Sequence, residues 1–100
     1  MELRFDHISE IVCETLRDYD VREAYLFGSF ARGDQTAESD VDLRFVCSDG
    51  MTYGTLYEIS QRLEGRLGRS VQIITNPLER MRPAFRERLQ RDEVLLYAAA

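Results

Sequence analysis

The chain has 100 residues, of which 44% are hydrophobic and 31% are charged, and its formal net charge is −5 at pH 7. This length fits one globular domain, residues 1–100, and leaves little chain for a separate substrate-binding lobe. The 13 basic residues are all arginines, scattered along an acidic chain, which argues against direct nucleic-acid binding because such surfaces need a basic stripe.

The first half of the chain predicts a helix followed by two strands. Apolar residues recur at three- and four-residue steps over residues 7–18, and Asp6 stands where an N-cap would stand, so we predict an amphipathic helix. The apolar and aromatic run 21–27 ends at a glycine and predicts a buried strand, and 41–47 predicts the next strand. Between them, residues 29–32 can form one helical turn before a polar loop.

The second half begins with a helix and a third strand. Residues 53–67 place leucine and isoleucine on one stripe, with Gly68 as a C-terminal cap. Residues 71–75 then predict a short strand. The final apolar run, 94–97, is either a fourth short strand or the packed end of a helix that lies between residue 75 and this run.

Another helix, between the third strand and the final apolar run, is predicted to start at Asn76-Pro77-Leu78-Glu79, because Asn can cap a helix and Pro is tolerated at its first position. Pro83 falls inside this pattern, where it would remove a helical hydrogen bond and bend the segment. The predicted buried face of this helix consists of Leu78, Met81, Phe85 and Leu89.

The composition predicts neither disulfides nor a membrane span. Cys13 and Cys47 are too few for a disulfide framework or a zinc site, and we expect both to be small core residues of a reduced protein. No apolar run approaches the ~20 residues of a transmembrane helix, and the N-terminal sequence lacks the apolar stretch of a signal peptide. We therefore expect a cytoplasmic protein. The final residues 98–100 fit either a natural fraying end or an artificial one.

The most informative pattern joins a glycine-serine pair to two aspartates. Gly28-Ser29 follows the first predicted strand, and after ten residues Asp40-Val41-Asp42 opens the next. Glycine lets the backbone approach a ligand closely, and the helical turn that follows points free N–H groups at an anion, so a phosphate would be stabilised there. Because strand side chains alternate, Asp40 and Asp42 share one face, where two carboxylates repel unless a cation lies between them.

These residue types predict a metal–triphosphate site. Mg²⁺ is commonly held by one or two carboxylates together with substrate phosphates, so Asp40 and Asp42 are the candidate metal-ligating and catalytic residues of an in-line displacement at phosphorus. Gly28 and Ser29 are the candidate nucleotide-binding residues. Taken separately, a glycine-serine pair is commonly a plain turn and Asp-x-Asp an exposed strand edge. Their spacing and flanking strands favour the functional interpretation.

Two segments closely resemble the signature of the minimal nucleotidyltransferases of the DNA polymerase beta-like superfamily, namely Gly28-Ser29-Phe30-Ala31-Arg32-Gly33 and Ser39-Asp40-Val41-Asp42-Leu43. The resemblance extends over nearly the whole chain in element order. It implies an α/β (α+β) fold with a small mixed β-sheet of three to four strands flanked by helices. It also implies ATP and Mg²⁺, and transfer of a nucleoside monophosphate with release of pyrophosphate. Gly28 and Ser29 would contact the triphosphate, while Asp40 and Asp42 would hold the metals.

The same resemblance implies a partner. Many short members are similar to MntA-like antitoxins of HEPN/MNT toxin-antitoxin systems, which bind a helical HEPN-domain protein and in some cases add AMP to one of its tyrosines. A HEPN-domain protein is therefore the expected partner and acceptor. A small catalytic lobe without its own acceptor-binding domain is consistent with a second chain that completes the site, and homo- and hetero-oligomers both stay open.

One residue departs from the family pattern. Active superfamily members usually carry a third carboxylate on the strand that here reads Val71-Gln72-Ile73. Gln72 is neutral, cannot act as a base near pH 7, and is a weaker metal ligand. Two hypotheses follow: an active enzyme that transfers AMP to a protein, or a catalytically weak or inactive module that neutralises its partner by binding. Transfer to RNA or to a small antibiotic is disfavoured by the acidic balance.

The remaining candidates are less specific. Arg32 either binds the nucleotide triphosphate or holds the loop after the first motif. Arg44 shares a strand face with the aspartates, and it either touches phosphate or forms an ion pair with one of them. We expect His7 to be a surface or capping residue, and Tyr53 and Tyr57 to pack in the core or against a partner.

Overall fold

Four strands form one mixed sheet in the structure, a computed structural model that describes residues 3–99. The elements are α1 (Phe5–Leu16), β1 (Val21–Phe27), α2 (Ser29–Arg32), β2 (Val41–Cys47), α3 (Tyr53–Leu67), β3 (Val71–Ile74), a 3₁₀ turn (Leu78–Arg80), α4 (Pro83–Asp92) and β4 (Val94–Ala98). The strand order is β3-β2-β1-β4. Met1, Glu2 and Ala100 lie outside the described residues. The expectations about the domain limits, the lack of a signal peptide and the nature of the chain end involve these three residues.

The strand directions make the sheet mixed, as the family resemblance implied. β1 is antiparallel to both of its neighbours, β2 and β4, whereas β2 and β3 are parallel and are joined through α3. A parallel pair needs such a crossover connection, while an antiparallel pair can be joined by a shorter loop. The loop between β1 and β2 carries α2 and the polar segment that follows it.

The main hydrophobic core lies between one face of the sheet and the helices α1 and α3. Residues of the two central strands are buried in it: Val41, Leu43 and Phe45 alternate along β2, as do Ala24 and Leu26 in β1, and Val21 joins them across a register shift between Val21 and Glu23. The helices contribute their apolar stripes: Ile8, Val12 and Leu16 from α1, and Ile59, Leu63 and Leu67 from α3. Each such aliphatic side chain contributes about 1.5–3 kcal/mol on burial. The opposite face of the sheet is left for other contacts.

Most predicted strands and the long central helix have the expected bounds. β1, β2 and α3 match the predicted ranges 21–27, 41–47 and 53–67, and Gly68 caps α3 with a left-handed φ of 69°. The last apolar run is the strand β4 rather than the end of a helix. β3 ends at Ile74, one residue before the predicted limit.

The predicted start of the first helix is wrong. α1 begins at Phe5 with Arg4 as its N-cap, instead of spanning 7–18 with Asp6 as the cap. Asp6 lies inside the first turn, where a negative charge is favourable next to the positive end of the helix dipole. Helical hydrogen bonding ends near Leu16, because the chain turns there towards β1.

The last helix also begins later than predicted. The segment 76–79 leads only into the 3₁₀ turn, and α4 starts at Pro83 with an extended Arg82 as its N-cap. Pro83 therefore occupies the first helical position, where the missing N–H costs no hydrogen bond. Of the predicted buried face, Leu89 is buried, and the other three residues are half-buried: Leu78, Met81 and Phe85.

The two cysteines lie half-buried at the margin of the core. The thiol of Cys13 donates a hydrogen bond to the carbonyl oxygen of Leu96 at 3.0 Å, which ties α1 to β4. Cys47 packs against the core from the end of β2. None of the helices described within residues 3–99 has the length and apolar character required to cross a bilayer.

Candidate functional site

The antiparallel pairing of β1 with β2 brings the two sequence motifs together. Phe27, the last residue of β1, pairs with Asp42 near the start of β2. Because antiparallel strands run in opposite directions, the end of one and the start of the other lie at the same end of the sheet. The glycine-serine pair and the two aspartates therefore meet, although ten residues separate them in sequence.

Gly28 is in direct contact with the Asp42 side chain, and two properties of the position call for glycine. Its φ is 73°, in a region that L side chains rarely adopt. A Cβ on this residue would overlap a carboxylate oxygen of Asp42 and would lie 3.1 Å from its Cγ. The absence of a side chain at Gly28 therefore makes room for the carboxylate.

The turn after Gly28 leaves backbone donors exposed at the same corner. Both Ala31 and Arg32 donate their N–H groups to the carbonyl of Gly28, which closes the short helix α2. The N–H groups of Ser29 and Phe30 have no hydrogen-bond partner within the described part of the chain, as is usual for the first turn of a helix. The ring of Phe30 is buried and anchors the turn on the core.

The two aspartates lie close enough to repel each other. Burial raises the pKa of Asp42 above its usual value, the charge of Asp40 raises it further, and Arg32 lowers it. Asp40 directly precedes β2, and both carboxylates are half-buried. A cation between two such groups would relieve the repulsion and lower the pKa.

Gln72 lies beside Asp42 in the parallel pair of β2 and β3. Paired residues of adjacent strands project to the same face, so Gln72 lies on the same face of the sheet as Asp42. Within residues 3–99, no cluster of three or more His, Cys, Asp or Glu residues is arranged to hold a metal. Two carboxylates supplemented by substrate phosphates and water are nevertheless a donor set that Mg²⁺ accepts.

A cavity of about 360 Å³ opens between this corner and α4. Its lining includes Gly28, Ser29 and Asp42 on one side and Phe85, Arg88 and Asp92 on the other. Phe27 and Phe85 meet edge to face with their ring centroids 6.2 Å apart, which gives the cavity an apolar wall. A volume above about 300 Å³ with a few converging polar groups is typical of small-molecule sites.

Arg32 lines the cavity and is held by two carboxylates. Its Nε lies 3.1 Å from Oδ2 of Asp34, and its Nη1 lies 3.8 Å from Oδ2 of Asp92. The first contact lies within the loop after α2; both roles expected for Arg32, binding the triphosphate and holding this loop, stay predictions. The contact with Asp92 links the same loop to α4.

Arg44 forms its ion pair with Glu93, and the expected ion pair with one of the two aspartates is wrong. Its Nε and Nη2 each donate a hydrogen bond of 2.9 Å to the carboxylate of Glu93, and its guanidinium lies 4.3 Å from the ring centroid of Tyr25. Burial lowers the pKa of Arg44, but the hydrogen bonds and charge of Glu93 outweigh that effect and raise it. Arg44 therefore ties the end of α4 to β2.

The other sequence candidates lie away from the cavity. His7 is exposed near the start of α1, in agreement with a surface position. Tyr53 and Tyr57 are 91% and 68% exposed on α3. The core alternative is therefore wrong for both tyrosines, while packing against a partner stays a prediction.

Sequence reasoning missed the contribution of α4 to this site. Phe85 was assigned to a buried helix face, and Arg88 was not singled out. Both line the cavity because α4 crosses the sheet face that carries Asp42. Their three-residue spacing on a helix predicts that they share a side, but no local pattern predicts which part of the sheet they face.

Comparison with known proteins gives matches along almost the whole chain. The family model described as Polymerase beta, Nucleotidyltransferase matches residues 10–100. A protein of Methanocaldococcus jannaschii, provisionally named a protein adenylyltransferase, is 26% identical over 92 residues. The match covers 92% of this chain and 97% of that protein.

Solved structures share the fold. A provisionally named minimal nucleotidyltransferase aligns with a TM-score of 0.71 at 29% identity and covers 86% of both chains. A toxin-antitoxin structure with AMP-PNP aligns with a TM-score of 0.73 at 22% identity, over 91% of this chain and 73% of that chain. A complex of the tri-AMPylated Shewanella oneidensis HEPN toxin with MNT antitoxin aligns with a TM-score of 0.65 at 19% identity, over 92% of this chain and 71% of that chain. At these last two identities, the likeness concerns the fold alone.

Proposed function

This chain belongs to the polymerase beta nucleotidyltransferase family, and on that basis we propose that it is a single minimal nucleotidyltransferase domain that binds Mg²⁺·ATP and transfers AMP to a protein. The observation that carries the proposal is the contact between Gly28 and the Asp42 carboxylate, with Asp40 beside it, at the mouth of the cavity. Backbone donors and paired carboxylates at one corner suit a metal-bound polyphosphate.

Each residue of the corner has a role in this proposal. Asp40 and Asp42 hold the metal, and Gly28 and Ser29 receive the triphosphate on their backbone. Arg32 keeps the adjoining loop in place. Bound Mg²⁺ would supply charge neutralisation and electron withdrawal at the phosphates. The acceptor hydroxyl then releases its proton to water, and its oxygen bonds to the α-phosphorus as the bond to pyrophosphate breaks, with the attacking and leaving oxygens in line.

The proposed acceptor is a HEPN-domain protein. One structural neighbour is an MNT antitoxin in complex with a tri-AMPylated HEPN toxin, and another toxin-antitoxin neighbour contains AMP-PNP. The Methanocaldococcus jannaschii relative carries a provisional protein adenylyltransferase name. We extend these properties to this chain as the antitoxin of a HEPN/MNT pair, located in the cytoplasm where ATP is available.

A second candidate function is a binding module that neutralises its partner without turnover. It is favoured by Gln72, which pairs with Asp42 on the strand where the family resemblance implies a third carboxylate in active members. An amide neither accepts a proton near neutral pH nor binds Mg²⁺ as well as a carboxylate does. Under this alternative, binding of the partner would not require the aspartates.

The proposal is tested by incubating the protein with ATP labelled at the α-phosphate, Mg²⁺ and the HEPN-domain protein proposed as its partner. We expect label on the HEPN protein with the wild type, and none with Asp40→Asn or Asp42→Asn. Asp49→Asn is the matched control, because Asp49 is an exposed carboxylate beyond the other end of β2. If the intact pair acquires no label, transfer to this acceptor is refuted.

Two further variants separate the enzyme from the binding module. If Asp42→Asn protein still binds and neutralises the HEPN protein as well as the wild type does, neutralisation is due to binding. Gln72→Asp restores the missing carboxylate, and for an enzyme limited by that group we expect the labelling rate to rise by at least about tenfold. An unchanged rate would show that Gln72 does not limit transfer.

A further inference from the structure

Five of the 13 arginines fall within the short stretch 80–91, in and before α4. They are Arg80, Arg82, Arg86, Arg88 and Arg91. Arg91 approaches Asp92 to 3.4 Å, whereas the other four form no salt bridge with any residue that the structure describes. Like charges in close proximity on a helix destabilise it, so this concentration in an acidic chain calls for a physical reason.

Arg88 differs from its neighbours in where it points. It lines the cavity together with Phe85, one helical turn earlier, and faces Ser29 and Asp42 across it. Arg86 lies on the same helix but does not belong to that lining. Arg88 therefore brings a positive charge to the side of the cavity opposite the glycine-serine corner.

The charges around the cavity leave Arg88 as a cation without a partner. The guanidinium of Arg32 is shared between Asp34 and Asp92. Arg88 forms neither a salt bridge nor a side-chain hydrogen bond within residues 3–99. A nucleotide triphosphate would bring several negative charges next to the carboxylate of Asp42, which lines the same cavity. A second cationic group is needed to offset that repulsion.

We infer that Arg88, which sequence reasoning did not single out, binds the phosphate tail of the nucleotide in preference to Arg32. A guanidinium donates in a planar fork that matches two phosphate oxygens at once. The aromatic pair of Phe27 and Phe85 supplies an apolar wall that suits the base, which leaves the charge of Arg88 for the phosphates. The inference rests on the proposed function, because it adds a residue to the same cavity.

The test measures the dissociation constants of ATP, ADP, AMP and adenosine with Mg²⁺ by titration calorimetry. We expect Arg88→Gln to weaken ATP about ten- to hundredfold, as for loss of a hydrogen bond to a charged group, and to leave adenosine almost unchanged. Arg88→Lys should retain part of the affinity for ATP. Arg86→Gln is the matched control on the same helix and should bind ATP like the wild type. Arg32→Gln should weaken ATP less than Arg88→Gln does.

The outcomes that overturn the inference are distinct from those that overturn the proposed function. If the wild type binds no Mg²⁺·ATP, both the inference and the proposed function are refuted. If the wild type binds ATP and Arg88→Gln binds it equally well, the inference alone is refuted. The same holds if Arg32→Gln binds ATP more weakly than Arg88→Gln does. An equal loss for ATP and adenosine in Arg88→Gln places Arg88 at the base and also refutes it. Thermal unfolding shows whether each variant is folded, and if Arg88→Gln is not, the comparison of Arg88→Lys with Arg86→Lys decides.

Discussion

At the contact between Gly28 and Asp42, the backbone conformation and the available space both require a residue without a side chain. The φ of 73° disfavours any L side chain, and the carboxylate occupies the place of a Cβ. Gly33 offers a comparison a few residues later. Its φ is 82°, and nothing lies within 4 Å of where its Cβ would be. A side chain at Gly33 would therefore meet only backbone strain, whereas a side chain at Gly28 would meet both strain and overlap with Asp42.

We predict that Gly28→Ala lowers the free energy of unfolding by at least about 2 kcal/mol, because backbone strain and the overlap with Asp42 add. Gly33→Ala should lose only the strain contribution, about 1 kcal/mol. Urea denaturation followed by circular dichroism measures both losses. Equal losses in the two variants would show that the Asp42 contact does not constrain Gly28.

The sequence predicted Gly28 and Asp42 as a pair because the relevant information is local. A glycine at a strand end, alternation along the next strand and their spacing suffice to place both at one end of a sheet. The partner of Arg44 was not predictable in this way. Glu93 is 49 residues away, and the two meet only because α4 docks on the face of β2.

Among the helices and strands, α4 completes the cavity by docking on the sheet. The Arg44–Glu93 pair holds the end of α4 with side chains only 7% and 12% exposed, and Phe85 contacts Phe27 nearer its start. These contacts place one wall of the cavity opposite the glycine-serine corner. A looser α4 would therefore leave the corner intact and remove the wall.

We predict that Arg44→Met lowers the free energy of unfolding by about 3 kcal/mol, because it leaves Glu93 buried without a counter-charge. The double variant Arg44→Met with Glu93→Leu should recover most of that loss. Arg62→Met is the control, since Arg62 and Asp18 form an exposed pair worth at most about 1 kcal/mol. Chemical denaturation of the four proteins gives the values, and a loss in Arg44→Met no larger than in Arg62→Met would contradict the anchoring role.

Strands were easier to predict than the start of the last helix. Residues 21–27 and 41–47 contain apolar runs bounded by turn residues, which is sufficient to define them. In contrast, both 76–79 and the Arg82-Pro83 step carry helix-start residues. The choice between them depends on where Phe85 and Leu89 meet the sheet, and that is a tertiary contact that local patterns do not contain.

At the scale of the whole molecule, the two faces of the sheet have different surroundings. One face is covered by α1 and α3 and holds the main core. The other carries Asp42 and Arg44 and is covered in part by α4. The proposed metal and nucleotide site thus lies on the face that contributes less to the core, while the tyrosines of α3 are exposed to solvent.

We predict a large difference in stability between two substitutions on α3. Leu63→Ala removes a fully buried side chain and should cost about 2–5 kcal/mol. Tyr53→Ser changes a side chain that is 91% exposed and should stay within about 0.5 kcal/mol of the wild type. Melting temperatures and urea midpoints measure the difference. A Tyr53→Ser loss comparable to that of Leu63→Ala would show that the tyrosine is packed in the free protein.

The position of α4 late in the chain determines when the cavity can form during synthesis. Gly28 and Asp42 leave the ribosome well before Pro83–Asp92. A nascent chain that has reached only β3 holds the paired acids but lacks the helix that faces them, and its Arg44 has no Glu93. Because β4 must then add to the free side of β1, the cavity that we propose for the nucleotide is complete only after α4 and β4 have folded onto the sheet.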